Sequence, residues 1–141
     1  MITLIQQILI ASGSSIFLLL GSLHLYYTFF TDKFLPRNTL VQSEMEKTSP
    51  RLTRATTMWK AWMGFNASHS SGAMYIGLIN MVLLIVNPEF LIQSHALSVV
   101  NILTVAFYVF LGKKYWFRIP FVGTVIAGLC FIGSLLLSLL P

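Results

Sequence analysis

Three histidines and a handful of polar side chains are the groups in this chain most able to do chemistry. His69 lies in Trp59-Lys60-Ala61-Trp62-Met63-Gly64-Phe65-Asn66-Ala67-Ser68-His69-Ser70-Ser71-Gly72, a polar opening to an otherwise apolar stretch. His24 lies about two turns before the end of the first apolar stretch, and His69 two to three turns after the start of the second, at about 1.5 Å per residue. Similar depth means that the imidazoles can face each other if the two stretches are neighbours. Neutral imidazole nitrogen suits a metal ion, and two histidines from facing helices suit a b-type haem. Either centre would be surrounded by Asn66, Ser68, Gly72, Gly21, Asn80 and Asn101 as orienting partners or polar core. Against it stands a plainer use of histidine in a membrane, a hydrogen bond to a serine, asparagine or carbonyl of the next helix. Asn66, Ser68, Ser70 and Ser71 supply such partners, so the residues alone favour packing over ligation. His95, near the opposite face, meets water or headgroups.

Other chemistries fit poorly. No Asp, Glu, Lys or Arg falls at mid-membrane depth, where proton- or ion-coupled transport usually places one. Ser68-His69-Ser70 is no nucleophile elbow, because adjacent helical positions face different ways. Glu44 and Glu46 are too few for metal-assisted phosphoryl transfer. The single Cys130 allows no intrachain disulfide, CxxC pair or thiolate cluster. Asn66-Ala67-Ser68 matches a glycosylation sequon but falls in or at the bilayer on the inferred cytoplasmic side. Small-xxx-small spacings, as in Ser68 to Gly72 and Gly123 to Ala127, point to packing within one bundle ahead of dimerisation.

The elements that position these residues follow from composition. The chain is 141 residues long, 56% hydrophobic and 9% charged, with a mean hydropathy of +0.79. It reads as a membrane protein, since about 20 apolar residues cross the hydrocarbon as a helix. Four spans are expected, at about residues 2–30, 59–86, 90–112 and 119–140, in a single all-α membrane domain over residues 1–141. The first is expected to be retained, being longer than a signal-peptide core. Its polar or small residues Thr3, Gln7, Ser14, Gly21, His24 and Thr28 predict one inward face. Asn66, His69, Ala73, Gly77 and Asn80 predict the same for the second span. Ser94, Ser98, Asn101, Tyr108 and Gly112 do so for the third, and Gly123, Ala127, Cys130 and Ser134 for the fourth.

Residues 31–58 form the one sizeable polar segment, in which Ser49-Pro50 reads as a helix N-cap with proline at the first helical position. Asn87-Pro88-Glu89 predicts a tight turn between spans two and three. All Lys and Arg lie in or beside the first-to-second and third-to-fourth connections. By the positive-inside rule those connections are cytoplasmic and both termini lie on the other side. The net charge of +5 is therefore expected to meet lipid headgroups rather than nucleic acid.

Gly64-Phe65-Asn66-x-Ser68-His69-x-x-Gly72, preceded by tryptophan and accompanied by Gly21-x-x-His24, resembles a family of small bacterial four-span membrane proteins of about this length. The layout matches over the whole chain and the residues only in these motifs. No activity is established for that family, so the resemblance implies a bacterial cytoplasmic membrane and singles out positions without giving them roles. The expected function is a non-enzymatic component, an accessory or structural subunit of a larger membrane assembly. The alternatives are a redox bundle in which His24 and His69 hold b-type haem or a metal, and a binder of lipid or a hydrophobic small molecule lined by Tyr26, Tyr27 and Tyr108.

Overall fold

The computed structural model describes residues 2–140, which form six helices and no strand. They are α1 (Ile2–Phe30), α2 (Thr39–Lys47), α3 (Met58–Val86), α4 (Pro88–Gln93), α5 (His95–Tyr115) and α6 (Arg118–Ser138). Four of them, α1, α3, α5 and α6, are long and apolar enough to cross a membrane. The chain is an all-α, four-helix membrane protein. Its contacts divide it into two compact units, one drawing on residues 2–20 and 73–140 and the other on Gly21–Gly72.

The first unit is a bundle in which each long helix meets the next in sequence and α6 returns to α1. Gly77 of α3 sits against the α1 backbone, where an added Cβ would lie 2.7 Å from the Ser14 carbonyl oxygen and 2.9 Å from the Leu18 nitrogen. Asn80 of α3 pairs with Asn101 of α5, and Gly112 of α5 faces Phe121 of α6. Gly13 of α1 faces Ala127, Cys130 and Phe131 of α6. Because lipid is as apolar as leucine, hydrophobicity does not hold such helices together; close approach at small residues and interhelical hydrogen bonds do. Phe17, Val105, Ala127 and Phe131 fill the centre, with the Phe17 and Tyr108 rings edge-on at 5.2 Å.

Several expected features are placed differently. On α1 the buried amide is Gln6, whose Nε2 donates to the Ser134 carbonyl at 3.3 Å, while Gln7 is only half-buried and Thr3 is exposed. At about 3.6 residues per turn Gln7 is turned about 100° from Gln6, away from the Ser134 carbonyl. The third span does not run unbroken from residue 90. Ser94 leaves helical geometry and its Oγ accepts the Leu97 N–H, starting α5 at His95. A serine side chain that caps in this way competes with the helix backbone. The preceding residues form α4, begun by Asn87 as N-cap with Pro88 in the first turn, so the expected tight turn is a short helix whose Leu91 and Ile92 are buried. On α6 the buried positions are Thr124, Ala127, Phe131 and Ser134; Gly123 and Cys130 are half-buried at their margin.

In the second unit, α2 was not expected at all. Asn38 caps it by accepting the Leu40 N–H, Gln42 donates to Glu46 one turn on, and Lys47 pairs with Glu44. Ser49-Pro50 starts no helix. The chain from Thr48 to Thr57 is irregular, and α3 begins at Met58, whose N–H donates to the Thr48 carbonyl at 2.7 Å. An apolar groove of about 390 Å³ lies there, lined by Leu40, Val41, Met45 and Met58 with Glu44 and Thr48.

Candidate functional site

The second unit brings His24 and His69 together. α1 runs unbroken to Phe30 and carries His24 into the unit; α3 carries Asn66, His69 and Ser70 on one face, because positions three and four apart are neighbours on a helix. The two imidazole centroids are 5.4 Å apart with their planes at 69°. His24 Nε2 lies 2.9 Å from Asn66 Oδ1. The Asn66 amide is oriented by its other end, whose Nδ2 donates to the Trp62 carbonyl at 2.8 Å. With the amide oxygen turned to His24, Nε2 is the donor and carries the proton, so in the neutral ring Nδ1 keeps the lone pair.

Three further side chains complete the surroundings. The Phe34 ring, from the segment after α1, lies 4.4 Å from the His24 ring at 36° and covers one face of it. Ser70, fully buried, donates to the Asn66 carbonyl at 2.7 Å, and Thr28 donates to the His24 carbonyl at 2.8 Å. Both bonds close on the turn before within the same helix, which satisfies a buried hydroxyl without a partner from elsewhere.

Of the residues singled out by sequence, the structure joins His24, Asn66 and His69. Gly21 is buried one turn before His24, and Gly72 is half-buried one turn after His69. Ser68 stands apart: it is exposed, and its Oγ donates to the Phe65 carbonyl of its own helix. Asn80 and Asn101 belong to the other unit, where each amide donates to the other, at 3.0 and 2.7 Å. Asn80 is 2% exposed and Asn101 half-buried, and the reciprocal pair satisfies both amides between the helices. Tyr26 is exposed and stacks on Phe30, with Lys33 over Tyr27, whereas Tyr108 in the first unit packs on Phe17 and Trp116. His95 is exposed at the start of α5. Phe34 was the residue not foreseen, and an aromatic inside a polar connection was the available signal for it; Ser70, expected as a partner for the histidine, bonds its own helix instead.

Axial histidines on opposite sides of a haem iron, at about 2.0 Å per Fe–N bond, put their ring centroids about 6.2 Å apart. The observed 5.4 Å is short of that, and Nε2 of His24 is engaged by Asn66. Among the described residues no third His, Cys, Asp or Glu joins the pair.

The site and fold define a class, an all-α membrane protein with a histidine pair between two of its spanning helices. Comparison with family models, curated proteins and solved structures finds no match.

Proposed function

We propose that this chain is a non-enzymatic integral membrane component, an accessory or structural subunit of a larger assembly in a bacterial cytoplasmic membrane. Residues 31–58 would face the cytoplasm, as the distribution of Lys and Arg favours.

The observation that carries this reading is the outer face of α5. Only Val105 and Gly112 of its 21 residues are buried in the bundle. Val100, Leu103, Phe107 and Phe110 are all more than half exposed and follow one another at spacings of three, four and three. Spacings of three and four put the four side chains on one face of the helix, where a bilayer offers them either lipid or the packing surface of a partner helix. The two phenylalanines stack at 6.4 Å, and Lys114 lies 5.7 Å above the Phe110 ring, which closes the stripe at its C-terminal end. A pre-ordered aromatic stripe loses little side-chain entropy when a partner helix packs on it.

The test is photo-crosslinking in intact membranes from Leu103 and Phe107, with Leu129 on the exposed face of α6 as comparison. The expected result is a discrete protein adduct from the two α5 positions and none from Leu129. Lipid adducts alone from all three would refute the subunit reading.

A further inference from the structure

We propose that His24 and His69 together bind a divalent first-row transition-metal ion of the zinc type, with His24 ligating through Nδ1. This goes beyond the subunit reading and stands on the geometry of the pair. A zinc-type ion bonds imidazole nitrogen at about 2.0–2.1 Å, and the ring centroid lies about 1.1 Å further along the same line. Two imidazoles at the tetrahedral angle therefore place their centroids about 5.2 Å apart, against about 6.4 Å in a linear arrangement. The observed 5.4 Å matches the bent arrangement.

Asn66 supplies the second element of such a site. Metal-bound histidine almost always gives its other ring N–H to an oxygen acceptor, which fixes the tautomer and the ring orientation. His24 already does this through Nε2 and Asn66 Oδ1, and the amide is itself held by the Trp62 carbonyl. Nδ1 is left as the ligating atom. Phe34 against His24 limits the swing of the ring. His69 contributes one of its two ring nitrogens. No other protein ligand completes the set among the described residues, so the remaining positions go to water or to a small anion. An anion there would also offset the charge of an ion held by two neutral ligands. Imidazole ligands favour zinc, cobalt, nickel and copper over magnesium and calcium, which want oxygen.

The test uses the full chain in detergent and Co²⁺ as the probe, because its visible spectrum reports tetrahedral nitrogen ligation. The expected result is one Co²⁺ per chain, displaced by Zn²⁺ and not by Mg²⁺. His24→Gln keeps a donor for Asn66 but removes the ligating nitrogen, and so separates a metal site from a packing hydrogen bond. With His69→Gln it is expected to abolish the tetrahedral spectrum while leaving helicity unchanged. Asn66→Ala weakens binding by about tenfold, in the range that loss of an orienting partner costs. His95→Gln leaves it unaltered. No tetrahedral spectrum in the wild-type chain, or one that survives both glutamine variants or is lost only with His95, would overturn the proposal.

Discussion

Replacing Gly77 by alanine tests how the bundle is held together. The new Cβ would sit 2.7 Å from the Ser14 carbonyl oxygen and 2.9 Å from both the nitrogen and the Cβ of Leu18. Two of these three atoms are backbone, so a rotamer change cannot relieve the overlap and α1 or α3 must retreat by about half an ångström or more. Overpacking of this kind costs about 1–3 kcal/mol. Alanine also gains about 1 kcal/mol of helix propensity over glycine, which would mask part of the loss. Gly64, on the same helix, supplies the correction, because a Cβ there meets nothing within 4 Å. Gly64→Ala takes the propensity gain without the clash, and the difference between the two variants isolates the packing cost. Unfolding each variant in mixed micelles of increasing SDS fraction should separate them by about five- to a hundredfold in equilibrium constant, at about 1.4 kcal/mol per tenfold. Equal stabilities, or a Gly64→Ala variant less stable than Gly77→Ala, would refute the close approach of the two backbones.

Further outcomes follow from the polar contacts. Asn80→Ala and Asn101→Ala should each cost about 1–2 kcal/mol in the same assay, and the double variant clearly less than their sum, since each single change already removes both bonds of the pair. Additive losses would show that the amides do not pair. Phe34→Ala uncovers one face of His24, so modification of His24 by diethyl pyrocarbonate, read by mass spectrometry, should quicken; an unchanged rate would remove Phe34 from the site. Ser68→Ala should change neither stability nor metal binding, because its hydroxyl is exposed and bonds its own helix. Asn38→Ala should cost α2 about 1 kcal/mol and speed amide exchange in Thr39–Lys47 without affecting α5 or α6.

Much of the fold was legible because a bilayer imposes simple demands. A run of about 20 apolar residues must be helical to satisfy its own backbone, so four spans follow from hydropathy. α1 was bounded correctly at both ends. The face of α3 was read well for the same reason, since Asn66, Ala73, Gly77 and Asn80 are polar or small against an apolar background. What escaped was local competition. Ser94 breaks the third span by capping with its own side chain, and Asn38 starts α2 where the segment looked only polar. Neither residue is unusual in composition; each acts through one hydrogen bond that hydropathy does not register.

Residue counting alone places His24 and His69 on membrane helices at matching depth, with Asn66 one turn from His69. Depth follows from counting residues along a helix of fixed rise. That the two rings stand 5.4 Å apart, that Asn66 turns its oxygen to His24, and that Phe34 closes over it came from the packed fold and not from counting. Those features depend on the rotation of each helix about its axis and on the path of the connection after α1. Both are set by packing against neighbours, where one residue of register turns a side chain by about 100°. That rotation separates a helix that buries Gln6 from one that buries Gln7, and two imidazoles in contact from two that face away from each other.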